Sequence, residues 1–195
     1  LTFNGNGNTL SFGATLSGAP HTFMLNGTDY VRVNNMIMEG TGTTYALVCH
    51  LWNDADNNMF TNCTFNAPAN GTSTTQVPFS ISGSLTSATT SGSSGSNNIV
   101  DGCTMFSGYY NTCFVGNSGL PNTGNQLINS IIRDQYFYGS YNTYQNGMII
   151  RNNTLDRPTR TTLSTYYGIY VVTGCTNMLV EKNKISNAWA STPGS

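Results

Sequence analysis

Short apolar runs alternate with polar corners along the chain, and six of those runs align without gaps. They are Val33 to Met38, Phe60 to Phe65, Val100 to Met105, Leu127 to Ile132, Ile150 to Leu155 and Val180 to Ile185. In each, the first and sixth residues are apolar and the fourth is small or medium: Met36, Cys63, Cys103, Ser130, Asn153, Asn183. The third is Asn35, Asn62, Gly102, Asn129 or Asn152, with Lys182 as the exception. In a straight strand residues an even number apart share a face, so positions 4 and 6 point inward together. Position 1 joins them only if the chain turns in between, and Asn or Gly in the left-handed conformation makes that turn. Each segment therefore predicts strand, sharp corner, strand.

The corner column falls at residues 35, 62, 102, 129, 152 and 182, giving spacings of 27, 40, 27, 23 and 30. A constant corner with elastic connections is the mark of a solenoid, because insertions enter loops and not the stacked core. The stretch before residue 35 and each of the five spacings hold one more β-type run: Phe23-Met24-Leu25, Leu47-Val48-Cys49, Val77 to Ile81, Cys113-Phe114-Val115, Tyr136-Phe137-Tyr138 and Ile169 to Val172. Three short strands per coil of about 25 residues is the content of a parallel β-helix, in which each strand pairs with its equivalents about 4.8 Å above and below. The expected fold is all-β, a single parallel β-helix over residues 1–195 with about six to seven coils. The spacing of 40 contains the Ser/Gly/Thr-rich stretch Ser82 to Asn98, expected as a loop protruding from the column.

Composition supports this picture and narrows the partners. Charged residues make up 8% of the chain, 7 Lys+Arg against 8 Asp+Glu, where soluble domains carry about 25%. So few cations exclude a general phosphate-binding surface, and with it nucleic acid or a polybasic membrane patch. No apolar run is long enough to span a bilayer as a helix. Disorder is excluded by 11 Tyr, 9 Phe and 2 Trp. The 26 asparagines, together with 21 glycines, are corner-formers.

Asn4 to Leu10, Tyr30-Val31-Arg32-Val33, Asn152-Asn153-Thr154-Leu155 and Gly168-Ile169-Tyr170-Val171 resemble the recurring phrases of the right-handed parallel β-helix repeat proteins. That superfamily includes pectate lyases, polygalacturonases, phage tailspikes and many secreted surface proteins. The Asn/Thr-rich, low-charge style is similar to that of secreted or cell-surface proteins of the Bacteroidota. The resemblance implies a right-handed helix and an extracellular setting; where members are enzymes, they cleave acidic polysaccharides.

The signatures of those enzymes do not carry over. Pectate-lyase-like chains bring an Arg-x-Pro-x-x-Arg phrase, and the nearest text is Arg157-Pro158-Thr159-Arg160, with both spacings altered. The Asn-x-Asp, Asp-Asp, Gly-His-Gly and Arg-x-Lys phrases of polygalacturonases do not occur, and His21 and His50 lack flanking glycines. Acid/base hydrolysis needs two carboxylates at a defined separation. Asp101 and Glu181 share position 2 of the repeat but lie three coils, roughly 14 Å, apart. Asp54 and Asp56 are the one tight pair, a candidate for Ca²⁺ or a solvated turn.

Trp52 and the tyrosines, Tyr109, Tyr138 and Tyr167 among them, are candidate sugar-stacking platforms, although aromatics also serve as ordinary strand residues. Cys63 and Cys103 occupy the same repeat position in consecutive coils, open either to a disulfide or to a stack of buried thiols. Met59, Ile99, Ile149 and Leu179 precede inward residues and must face outward, an apolar stripe that calls for a cover.

The expected function is a non-catalytic structural or adhesive β-helix segment of an extracellular or cell-surface protein. The chain opens on strand-like text and stops at Pro193-Gly194-Ser195, where another strand is due, with no capping helix. Its expected partners are further β-helix coils, of the same or another chain, and surface glycans. The rival readings are a β-helix polysaccharide lyase or glycoside hydrolase and a carbohydrate-binding surface without catalysis.

Overall fold

The computed structural model describes residues 1–189, so the expected continuation at 193–195 lies outside the described residues. The chain is an all-β parallel solenoid of about seven turns with three long sheets and a short fourth that pairs Asn122–Thr123 with Gln145–Asn146. The first sheet stacks Thr2–Asn4, Arg32–Asn34, Met59–Thr61, Ile99–Asp101, Gln126–Ile128, Ile149–Arg151 and Leu179–Glu181. The second stacks Thr9–Phe12, Ile37–Gly40, Thr64–Asn66, Thr104–Phe106, Ile131–Arg133, Thr154–Asp156 and Lys184–Ile185. The third holds His21–Asn26, Ala46–Trp52, Gln76–Ile81, Tyr110–Val115, Tyr138–Thr143 and Tyr167–Val171. Among the described residues no helix is long and apolar enough to cross a membrane.

All six expected corners are left-handed: Asn35, Asn62, Asn129, Asn152 and Lys182 have φ between 50° and 60°, and Gly102 has φ 63°. Lys182 keeps the geometry although its side chain does not favour it, because the strands on both sides are held in register with the coil before. The first coil has a longer corner. Asn4 pairs with Asn34 and Thr9 with Ile37, so Gly5 to Asn8 do the work of two residues, with the left-handed positions at Asn6 and Gly7. This coil therefore escapes a gapless alignment.

Inward positions follow the repeat. Val33, Phe60, Val100, Leu127 and Ile150 at position 1 and Met38, Phe65, Met105, Ile132 and Leu155 at position 6 are fully buried. Phe60, Phe65, Phe79 and Phe114 fill the middle coils edge-on or tilted, with ring centroids 5.5–6.0 Å apart. At the terminal rungs the same columns are open: Leu10 at one end and Val180 and Ile185 at the other are more than 40% exposed. Burial here is supplied by the coils above and below, not by the residue's own coil.

Position 4 closes each corner from inside, because a corner leaves backbone groups that neither sheet can pair. The N–H groups of Cys63, Cys103, Ser130 and Asn153 donate to the side chains one coil on: Cys103 Sγ at 3.4 Å, Ser130 Oγ at 3.1 Å, Asn153 Oδ1 at 2.9 Å and Asn183 Oδ1 at 2.9 Å. Most of these side chains also donate back one coil. Cys63 Sγ reaches the Val33 carbonyl, Cys103 Sγ that of Phe60, Asn153 Nδ2 that of Leu127 and Asn183 Nδ2 that of Ile150. Cys, Ser and Asn share what the site requires, a short side chain that both accepts and donates. The cysteines are free thiols with this role, and no disulfide links Cys63 to Cys103.

A second buried ladder stands where the third side turns into the first sheet. The N–H of Val31 donates to Asn58 Oδ1, that of Asn58 to Asn98 Oδ1 and that of Asn98 to Asn125 Oδ1, each at 2.9 Å. The amide nitrogens of Asn58, Asn98 and Asn125 donate to the carbonyls of Thr28, Ala55 and Gly95.

Two expectations change. The fifth strand of the third sheet is Tyr138–Thr143 and not Tyr136 to Tyr138, because Ser140 and Asn142, polar but fully buried, take inward positions that hydrophobicity assigned one step earlier. The stretch 82–98 lies against the column. Residues 83–92 cross the outer face of the third sheet, and the backbone at 93–97 bonds to Asn53, Ala55, Asn57 and Thr123 as an added rung.

Replacing Asn98 by Leu leaves the Asn58 N–H and the Ala55 carbonyl buried and unpaired, at about 1–3 kcal/mol each. Urea unfolding should show a loss of about 2–5 kcal/mol, while Asn129→Gly, at an exposed left-handed corner, should stay within about 0.5 kcal/mol.

Candidate functional site

The outer face of the third sheet carries the side chains that the stability of the column does not explain. Leu47 and His50 lie three residues apart yet share this face, as do Tyr110 and Cys113, and Tyr138 and Tyr141. Each strand therefore breaks its alternation once in between, a local bulge that brings two outward rows side by side. One row runs Met24, His50, Ser80, Cys113, Tyr141, Tyr170 through successive strands. The other runs His21, Leu47, Val77 and then, one rung on, Tyr110, Tyr138, Tyr167.

In the last three strands the rows are aromatic except at Cys113, and they form a terrace. Tyr110 stacks on Tyr138 at 5.3 Å with planes 14° apart, and Tyr138 on Tyr170 at 4.7 Å and 3°. Tyr141 packs beside Tyr138 at 5.3 Å, Tyr167 beside Tyr138 at 5.2 Å, and Tyr109 and Phe137 flank the row. The faces of the central rings are taken by their neighbours, so the terrace offers mainly ring edges and hydroxyls; Tyr167, at its margin, is 40% exposed. Among the described residues, no terrace hydroxyl takes a hydrogen-bond partner from the chain. Burial and the neighbouring phenols push the Tyr138 hydroxyl up to about 12, and burial raises Tyr110 and Tyr141, so all three stay protonated donors at neutral pH.

In the second and third strands the same rows are covered by the strap of residues 83–92, which also reaches His21 in the first and Cys113 in the fourth. Ala88 is buried in a cluster with Leu47, Val77, Cys113 and Val115, against which Tyr110 and Tyr141 pack. His50 Nε2 faces the Ser84 carbonyl at 2.9 Å and Nδ1 faces Ser80 Oγ at 2.7 Å; His21 Nε2 faces the Leu85 carbonyl at 2.6 Å. The two imidazoles stack at 5.2 Å. A carbonyl opposite Nε2 requires the Nε2–H tautomer of neutral histidine.

Of the residues singled out in the sequence, Tyr109, Tyr138 and Tyr167 come together, joined by Tyr110, Tyr141 and Tyr170. Trp52 does not join them. It ends the strand Ala46–Trp52, two strands away and at the opposite strand end from Tyr110, half-buried with its indole Nε1 enclosed. Asp54 and Asp56 line a cleft of about 410 Å³ with Ser93, Ser96 and Asn122. Their surroundings are those of backbone caps: Asp29 Oδ1 accepts the Asp56 N–H at 2.8 Å and Asp56 Oδ1 accepts the Ser96 N–H at 2.7 Å. Burial pushes the Asp56 carboxyl up, the Ser96 N–H opposes this, and Asp29 and Asp54 add to the rise. Among the described residues no three His, Cys, Asp or Glu side chains converge in one cluster.

Most of the remaining charges are also engaged. Asp156 forms a two-bond pair with Arg133 at 2.7 and 2.9 Å, Glu181 pairs with Arg151, Asp101 accepts from Asn129 and Glu39 from Asn66. Asp134 caps the turn at Thr159 and Arg160. Arg157 and Arg160 are buried and donate to backbone carbonyls, Arg157 to those of Ala188, Tyr136 and Ser164, Arg160 to those of Thr162, Gly108, Asp134 and Gly71. Burial, then the Arg157 charge, lowers Arg160 to about 10, still protonated at neutral pH. The Arg-Pro-Thr-Arg phrase is a clasp that ties the loop at Asn70 and Gly71 to the loop after Asp156. Of the apolar stripe, Met59, Ile99 and Ile149 are half-buried on the first sheet and Leu179 is exposed, in a row that Gln126 interrupts and that Arg32 and Thr2 continue as polar residues.

Sequence reading missed the two buried ladders and the strap's contact with the sheet. An Asn two residues before position 1 in three successive coils, Asn58, Asn98 and Asn125, was the available signal for one ladder. The strap's anchors are single alanine, serine and leucine backbone contacts, for which the sequence has no signal. Comparison with protein-family models, with characterised proteins and with solved structures finds no match to this chain.

Burial lowers the imidazole of His50 to about 4, partly opposed by the Ser84 carbonyl, and also lowers His21. The unfolded chain therefore binds protons before the folded one, and stability is complete above pH ~6.5 and falls as pH drops towards 4. Urea midpoints between pH 7 and pH 4 should record a loss of up to about 3 kcal/mol from His50, a dependence that His50→Gln flattens.

Proposed function

We propose that the protein is a non-catalytic structural and adhesive segment of an extracellular or cell-surface β-helix, and that it contacts neutral surface glycans through the tyrosine terrace. The observation that carries this reading is the terrace itself: two in-register rows of tyrosines with unpartnered hydroxyls, free of charged side chains, on a column held rigid by its ladders. A polyhydroxylated ligand suits ring edges and phenol hydroxyls, which supply apolar contact and hydrogen bonds side by side. Seven of the eight carboxylates cap, pair or accept within the fold, which favours presentation over acid/base chemistry. Kinship with the pectate-lyase-like superfamily, and with Bacteroidota surface proteins, rests on the repeat phrases.

Binding to a panel of neutral and acidic glycans tests it. Tyr138→Ala and Tyr167→Ala should each weaken binding of a neutral glycan about tenfold, ~1.4 kcal/mol, while leaving the circular dichroism of the column intact. New reducing ends or unsaturated sugars after incubation would overturn the non-catalytic reading.

Further coils are the second partner. Leu10 and Phe12 at one end and Val180 and Ile185 at the other continue columns that are buried elsewhere, beside strand edges that are unpaired among the described residues. At raised concentration the protein should associate end to end into particles elongated along one axis by electron microscopy; a monodisperse monomer at all concentrations counts against this.

A further inference from the structure

We infer that the strap of residues 83–92 is the end-stop of the terrace, limiting its ligand to about three units of an extended, neutral glycan lying along the solenoid axis. The inference rests on the reading of the terrace as a glycan-contacting face.

The direction follows from register. Tyr110, Tyr138 and Tyr167 lie on neighbouring strands, so their row runs across the strands and along the column. Three rungs are two steps of about 4.8 Å, roughly 10 Å from the first to the last, and one unit of an extended β-linked sugar chain advances by a similar step, so three units match three rungs. The neutrality follows from charge. The terrace holds no charged side chain, and the guanidinium groups nearest to it, on Arg157 and Arg160, are buried against carbonyls. A uronic acid or sulfated chain would lose carboxylate or sulfate hydration there without gaining a cation.

The stop follows from the strap's position. The row Met24, His50, Ser80, Cys113, Tyr141, Tyr170 is continuous through six strands, yet its middle members His50, Ser80 and Cys113 are closed over, leaving Tyr141 and Tyr170 on one side and Met24 on the other. Ala88 sits on Leu47, Val77, Cys113 and Val115, immediately beside Tyr110 and Tyr141, and two imidazoles hold the strap's carbonyls over the rows. A chain extended along the terrace meets the strap at the Cys113 rung. The strap is a closed excursion, since a Cβ built on Gly83 would fall 2.2 Å from Gly92 Cα, so the loop leaves and returns at one point. Its removal leaves the strands on either side in place.

The test uses β-1,4-linked glucose and N-acetylglucosamine oligomers of two to six units, titrated calorimetrically. With the native protein, affinity should rise up to three units and then level. A variant with residues 84–91 deleted, joining Gly83 to Gly92, should continue to gain, binding the six-unit oligomer at least threefold more tightly than the three-unit one. Ala88→Asp, which places a carboxylate in the apolar cluster under the strap, lifts the strap without deletion and should shift the plateau the same way. An unchanged plateau in folded variants that still bind overturns the end-stop and leaves the glycan face standing. Equal binding of a galacturonic acid trimer overturns the neutrality of the ligand. Binding of no oligomer by any of the three proteins removes the terrace reading, and the end-stop with it.

Discussion

Each coil must hand its backbone N–H and C=O groups to the coils above and below, and everything else in the molecule follows from that requirement. Along the strands the sheets do this unaided. At the corners they cannot, and buried polar backbone left unpaired costs about as much as a lost hydrogen bond per group. The solution is local and repeated: a left-handed residue turns the chain, and a short side chain at the next position bonds the backbone of the neighbouring coil. Cys103, Ser130 and Asn153 look unrelated as residue types, but each plugs the same gap. The ladder of Asn58, Asn98 and Asn125 plugs the equivalent gap at the other end of the first sheet.

Because the rungs are locked at one rise, any side chain placed on an outer face is repeated at that rise. The tyrosine rows of the third sheet are the clearest consequence. Their spacing is that of the backbone, their stacking uses up the ring faces, and what remains for a ligand is a track of edges and hydroxyls. The strap uses the other half of the same face. Apolar side chains beneath it, and two neutral imidazoles bonded to its carbonyls, make it a cover over Leu47 and Val77, where the terrace is open.

The scarcity of charge has a structural origin. Corners need Asn or Gly, interiors need apolar or short polar side chains, and the acids that remain are occupied as caps and ion pairs. Asp134 shows how far this goes: left-handed at φ 59° and buried, its carboxylate holds two backbone N–H groups and so shapes the turn that carries the arginine clasp. With seven of the eight carboxylates engaged in this way, the outer face of the third sheet is left largely to uncharged side chains.

Repetition made the fold legible in the sequence alone. Positions 1, 3 and 6 are set by short-range physics, burial and left-handed backbone, so a column of Asn and two columns of apolar residues named the corners, the strands and the stacking, even at Lys182. The tyrosines were legible as residues but not as a site, since Tyr109, Tyr138 and Tyr167 are far apart along the chain and meet only because the coils bring them into register. The polar ladders hid behind mixed residue types, which share a hydrogen-bonding role but no hydrophobicity signal. Sequence thus determined the solenoid, its corners and its core; tertiary structure alone decided which outer rows are open and which are covered. The bulge in each third-sheet strand and the path of the strap depend on contacts between coils, and no local pattern encodes those.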